Sequence, residues 1–151
     1  MEVNIKKIEP GRFASFYGFG TQPEEEAIGK LLKWCQKRNI SVDANKSMLL
    51  GFNNPNPSPE SKEYGYEFWL KVDDNAKPEE EVRVIEYHGG SYAATECTGV
   101  MNIFNCWQAL YKWCADNNYK IGYHQALEII VENLFDIEKI KIELCCPIVL
   151  S

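Results

Sequence analysis

The sequence predicts an α+β fold made of two tandem βαββ modules, and three observations predict it. When the 151-residue chain is compared with itself at an offset of 79, Gly11-Arg12-Phe13-Ala14 falls on Gly90-Ser91-Tyr92-Ala93 and Gly20 on Gly99. Without a gap, Leu31-Leu32-Lys33-Trp34-Cys35 then falls on Leu110-Tyr111-Lys112-Trp113-Cys114, and Asn39 on Asn118. Each half carries one apolar stripe at helical spacing, flanked by short runs of strand composition. The offset shortens to 76 near the end, where Tyr66-Glu67-Phe68 meets Ile142-Glu143-Leu144. The expected organisation is a single domain over 1–151, with repeat one at about 1–76, repeat two at about 80–151, pseudo-twofold symmetry and a central ligand groove.

In the first copy, Pro10-Gly11 opens a strand over 12–19, which Gly18 and Gly20 close. Thr21-x-x-Glu24 has the form of a capping box with Pro23 in the first helical turn. Ile28, Leu31, Leu32 and Cys35 recur at i, i+3, i+4 and i+7 and predict the buried face of that helix, with Asn39 as its stop. Strands are expected at 48–52 and 64–72, separated by a loop whose three prolines cannot join a sheet. The stretch 73–81, with Pro78 and three consecutive Glu, reads as a solvated linker. The second copy repeats the order: a lead-in over 82–86, a strand at 91–98, a helix over about 102–117 and strands around Glu128 and over 139–149. The second helix is expected to bury Ile103, Trp107, Leu110 and Cys114.

A net charge of −6 with no Lys/Arg cluster argues against direct binding to nucleic acid. The sequence contains no basic n-region followed by an apolar run and no span of about 18 apolar residues, so a cytoplasmic protein outside the membrane is expected. In that setting the six Cys read as reduced, buried thiols, and the absence of any C-x-x-C spacing argues against a metal site. Nothing in the sequence calls for a cofactor.

Leu127-Glu128-Ile129-Ile130-Val131 is a buried-strand composition interrupted by one carboxylate. Side chains alternate along a strand, so Glu128 and Ile130 share a face, with Leu49 and Gly51 as their counterparts at the offset. Leu49 shows that an apolar residue suits that place in the fold, which points to a use for Glu128 beyond folding. If the helices cover one face of each half-sheet, the opposite faces would line the groove. One alternation set of the third strands brings Tyr64, Tyr66 and Phe68 there, with Ile140, Ile142 and Leu144; the other brings Glu67 and Trp69, with Glu143 and Cys145. A carboxylate among aromatic faces suits an organic cation, and it also suits a general acid or base.

The pattern Gly90-Ser91-Tyr92-Ala93, Trp107-x-x-Leu110-x-x-Trp113, Leu127-Glu128-Ile129-Ile130 and Ile142-x-Leu144-x-x-Pro147-Ile148 resembles the GyrI-like small-molecule-binding superfamily. That superfamily includes effector-binding domains of AraC- and MerR-type multidrug regulators and stand-alone gyrase-inhibitor-like proteins. Phe52-Asn53-Asn54-Pro55 and Tyr66-Glu67 are similar to its loop and its tyrosine–acid pair. The resemblance implies an SH2-like pair of modules and a pocket in which Glu128 pairs with lipophilic cations while Ile130 and Tyr66 line the wall. It implies a stand-alone, cytoplasmic multidrug-binding protein for amphipathic cationic or aromatic compounds. Two alternatives stay open: a hydrolase of cyclopropane-containing toxins using Glu128 and Tyr66, with Glu67 and Trp69 as further available groups, or a module that interacts with a protein partner such as gyrase.

Overall fold

The computed structural model describes residues 1–79 and 81–150. The chain runs through β1 (Asn4–Ile8), β2 (Gly11–Gly20), α1 (Pro23–Lys37), β3 (Leu49–Asn53), β4 (Tyr64–Val72), β5 (Arg83–Tyr87) and β6 (Gly90–Thr98). A 3-10 turn at Val100–Asn102 leads into α2 (Ile103–Asp116), followed by β7 (Lys120–Ile121), β8 (Leu127–Glu132) and β9 (Lys141–Val149). The elements gather into two compact units, one of Gly11–Tyr87 and one of Met1–Pro10 with His88–Ser151.

In the Gly11–Tyr87 unit the antiparallel order is β3-β4-β2-β5, and α1 packs on β2 and β4. Phe16, on the helix side, meets Trp34 with ring centroids 5.7 Å apart. The other side carries Phe13, Phe52, Trp69 and Tyr87, whose rings pack edge-on or tilted around Trp69 and Phe13. A Cβ at Gly18 would stand 2.2 Å from the Pro23 carbonyl oxygen, so glycine there lets the helix start directly on the strand.

Two expectations about α1 are corrected. The residue before the helix is Gln22, with no side-chain cap bond, so Thr21 forms no capping box; Pro23 does occupy the first turn. The buried stripe is Ala27, Leu31, Trp34 and Cys35, while Leu32 is 40% exposed. Rotating the stripe by one position buries the indole, whose apolar area exceeds that of Leu32. Asn39 does end the helix. At φ 54°, it allows Ile40 N–H to donate to Cys35 O at 2.9 Å while its own N–H donates to Gln36 O at 3.2 Å.

The other unit orders its strands β8-β9-β6-β1, with β7 alongside the end of β9, and α2 packs on β6, β9 and β7. Its centre includes Tyr92, Leu110, Leu127, Leu144 and Ile148, each almost fully buried. Asn118 (φ 64°) ends α2 as Asn39 ends α1, with Tyr119 N–H donating to Cys114 O at 2.9 Å. The expected buried face of α2 holds only at Leu110 and Cys114; Ile103 and Trp107 are half-buried.

The units share one strand order, β3-β4-β2 in one and β8-β9-β6 in the other. The strand that extends each sheet belongs elsewhere in the chain: β5 pairs with β2 although it precedes β6, and β1 pairs with β6 although it precedes β2. In sequence, β1 and β7 give no strand signal, since β1 is mostly exposed and β7 is two residues long.

Candidate functional site

Glu128 stands on β8 opposite Leu144 of β9, and Ile130 opposite Ile142, so these four side chains share one face. Cys146, two residues beyond Leu144, is hydrogen-bonded to Cys114 of α2, which marks that face as the one carrying the helix. The indole Nε1–H of Trp107, also on α2, donates to Glu128 Oε2 at 3.1 Å. The expectation that Glu128 lies on the sheet face away from its helix is therefore corrected. On that side α2 packs on β6, β9 and β7, and Ile130 and Ile142 beside Glu128 are buried.

The half-buried carboxylate thus meets the indole of Trp107, on the helix. Trp107 stacks on Tyr111 at 5.7 Å with 30° between planes, Tyr111 is 42% exposed and Phe104 71% exposed. The charge of Glu128, the π face of Trp107 and the buried aliphatic side chains of Ile130 and Ile142 together suit a cation with apolar substituents. Trp107, Tyr111 and Phe104 were missed as site residues. The available signal was that α2 is apolar nearly all round, with one charged pair, Lys112 and Asp116, where α1 is rich in Glu and Lys. A helix of that kind has two faces to cover.

All six cysteines are free thiols. Burial, then the hydrogen bond with Cys106, pushes the Cys97 thiol up to about 12, and the Glu128 carboxylate nearby acts in the same direction. Cys146 is likewise pushed up to about 12, by burial and then by Cys114. These thiols stay protonated near neutral pH and are poor nucleophiles. Among the described residues no grouping of His, Cys, Asp and Glu could hold a metal ion.

The remaining candidates lie in the Gly11–Tyr87 unit or in a turn. Tyr66 and Phe68 pack edge-on at 4.9 Å on the α1 side, on which Leu49, paired with Leu70, also lies. A Cβ at Gly51 would stand 2.2 Å from the Tyr66 hydroxyl, so this glycine lets the tyrosine ring lie flat across β3. The Tyr64 hydroxyl lies 2.6 Å from Glu24 Oε1 and donates to it, tying β4 to the first turn of α1. Ile140 is buried but precedes β9, in a turn where its carbonyl accepts from Gly99 N–H at 2.8 Å.

Glu67 points to the opposite face of β4 from Tyr66. Its carboxylate accepts from Ser15 Oγ (2.7 Å), Asn54 Nδ2 (2.7 Å), Trp69 Nε1 (3.1 Å) and Arg83 Nη2 (2.9 Å). Burial raises its pKa, but the bonds from Asn54, Ser15 and Trp69 and the Arg83 charge outweigh that and hold it below the usual carboxylate range. A carboxylate so engaged serves the fold, and with its back to Tyr66 it is no partner for that hydroxyl in acid–base chemistry.

The comparisons with known proteins agree with this architecture. A family model described as Cass2, integron-associated effector binding protein, matches residues 4–148. No curated protein matches the chain. Among solved structures, EcmrR in a cryo-EM complex with DNA is similar at TM-score 0.78 and 15% identity, over 97% of this chain and 57% of that one. This chain therefore spans little more than half of that relative's length. A hydrolase from Listeria innocua is similar at TM-score 0.70 and 10% identity, over 98% of this chain and 92% of that chain. SAV2435, solved bound to tetraphenylphosphonium, is similar at TM-score 0.56 and 14% identity, over 98% of this chain and 94% of that one. At these identities the three structures show a shared α+β fold.

Proposed function

The chain belongs to the Cass2 family of integron-associated effector-binding proteins, and from that premise we propose that it binds lipophilic organic cations at Glu128. The observation that carries the reading is the Glu128 carboxylate bonded at 3.1 Å by Trp107, whose ring stacks on the partly exposed Tyr111. The indole bond orients the carboxylate, and its negative charge next to an aromatic face suits such a ligand. Tetraphenylphosphonium on the similar fold of SAV2435 supports this ligand class. The ladder register corrects the offset here: Gly51, not Leu49, faces Phe68 as Glu128 faces Leu144, and neither residue of the first unit carries a charge at that place.

Titrating the protein with tetraphenylphosphonium tests the proposal. Removing one partner of a desolvated ion pair costs about 2–5 kcal/mol. For a half-buried carboxylate the low end applies, so Glu128→Gln should weaken binding roughly 30-fold. Affinity for triphenylphosphine oxide, a neutral compound of similar shape, should stay within about twofold. Equal loss for both compounds, or no loss for the cation, would remove Glu128 from the site. The same variant separates binding from turnover: a cyclopropane hydrolase would lose its rate in Glu128→Gln while keeping nearly its full affinity.

A further inference from the structure

The second helix-bearing surface, on the Gly11–Tyr87 unit, has the opposite electrostatic character. Lys30, Lys33 and Lys37 recur along α1 at i, i+3 and i+7, and Arg38 follows directly, in a chain whose net charge is −6. With Trp34 and Val82 these lysines border a hollow of about 360 Å³ whose rim carries Glu79 and Glu81. Trp34 also borders a second hollow of about 670 Å³, which has Ile40 and Leu70 as apolar wall and Arg38, Lys71 and Lys77 as cations. Both volumes lie in the range of small-molecule pockets.

Trp34 itself is unusual. It is 6% exposed, and among the described residues its indole Nε1–H is a buried polar atom with no hydrogen-bond partner. Leaving such a donor unmatched destabilises the folded protein, and buried donors are ordinarily satisfied. The Arg38 guanidinium lies 4.1 Å from the centre of the Trp34 ring and is ion-paired with Glu79. Lysines along a helix usually do no more than solvate it. Here the offset comparison counts against that plain reading. Trp34 has a counterpart in Trp113, whose ring stacks on Tyr119 at 5.6 Å, but Lys30, Lys37 and Arg38 correspond to Ala109, Asp116 and Asn117. Lys33 is matched by Lys112, but Lys30, Lys37 and Arg38 are not matched by cations, so the tryptophan recurs in the second unit without three of the four positive charges.

We propose that the hollows flanking Trp34 form a second ligand site, one that takes a small organic anion: a carboxylate or phosphate on an apolar body. Lys33 and Lys37 attract the anion, and Arg38 exchanges Glu79 for it. The apolar body packs against Trp34, Ile40 and Leu70, and shifting Arg38 and the ring edge gives the orphan indole N–H an acceptor. This site is independent of the cation site, and the two are separable by mutation.

The probe is 1-naphthoate, followed through the indole N–H resonances of the four tryptophans in ¹H–¹⁵N spectra. The resonance that disappears in Trp34→Phe is expected to move and saturate. The exposed pair Lys33→Gln/Lys37→Gln, which leaves the core untouched, should raise the Kd about tenfold at low ionic strength. Glu79→Gln should lower it severalfold by freeing Arg38. Glu128→Gln should leave 1-naphthoate binding unchanged, as the lysine pair should leave tetraphenylphosphonium binding. The proposal is overturned if no indole resonance moves up to millimolar 1-naphthoate, if the Trp107 resonance moves in place of that of Trp34, or if the lysine variant binds as tightly as the wild type.

Discussion

A carboxylate met by four donors, as Glu67 is by Ser15, Asn54, Trp69 and Arg83, is stabilised as the anion despite its burial. Its folded-state pKa is lowered, so its contribution to stability is present above the unfolded carboxylate pKa of about 4.3 and is lost as pH falls through the folded value. Glu67→Gln keeps one acceptor and loses the charge, which should cost about 1–3 kcal/mol at pH 7. At about 2–4 °C per kcal/mol for a chain of this size, thermal melts should register it clearly. The difference from wild type should narrow as the pH is taken below about 4.3; a gap that stays constant down to pH 2 would show that the charge contributes nothing. The other sheet carries a matching arrangement, with Glu143 of β9 held by Lys6 of β1 at 2.7 Å. In each sheet an acid of a central strand is thus paired with a cation of the strand brought in from elsewhere in the chain.

At the scale of elements, the two helices end by the same device. Asn39 and Asn118 lie 79 residues apart, both at positive φ, each followed by a residue whose N–H reaches back to a cysteine carbonyl in the last turn. The left-handed conformation costs an ordinary L-residue about 1–2 kcal/mol, a cost that asparagine partly escapes and glycine avoids. Asn39→Gly and Asn118→Gly should therefore leave the melting temperature unchanged or raise it, while Asn39→Val and Asn118→Val should each lower it by about 3–6 °C. Destabilisation by glycine equal to that by valine would mean that the asparagine side chains, and not the backbone conformation, hold these ends. What distinguishes the helices is their outer surface: α1 presents lysines, whereas α2 presents Phe104, Trp107 and Tyr111.

For the molecule as a whole, the exchanged strands decide which parts of the chain melt together. Five residues of β1 pair with β6, and Lys6 joins Glu143, so the N-terminal segment belongs to the unit that also holds α2. Deleting residues 1–8 should expose one edge of β6, remove that ion pair and lower the melting temperature by about 10 °C, since a five-residue ladder, the ion pair and the buried Ile8 are lost together. Amide exchange should accelerate in β6 and β9 well before it does in β2 and β4. Uniform acceleration across both sheets, or none in β6, would contradict the division into these units. No helix among the described residues is long and apolar enough to cross a membrane.

The α+β class, the two helices, most of their strands and the standing of Glu128 as a carboxylate out of keeping with its surroundings were legible because each rests on local pattern. Helical spacing marked Leu31 and Cys35, strand composition marked 64–72, and an apolar run marked the strand around Glu128, although the ladder register sets Gly51, and not Leu49, in its place. β1 escaped notice because an edge strand buried only at Ile8 has little apolar periodicity, and its existence is decided by the partner it finds in β6. Nor could the sequence say which face of β8 the helix covers. Alternation separates two faces without naming them, and the contacts of α2 with Cys146 and Glu128 identify the helix side. The same limit placed Trp107 in the core and overlooked Tyr111 and Phe104, because a helix that is apolar all round does not reveal which side the sheet will take. Glu67 and Glu128 look alike as isolated strand glutamates. Tertiary structure separates them, surrounding one with four donors and setting the other against the indole of Trp107, because long-range packing determines which polar groups each carboxylate meets.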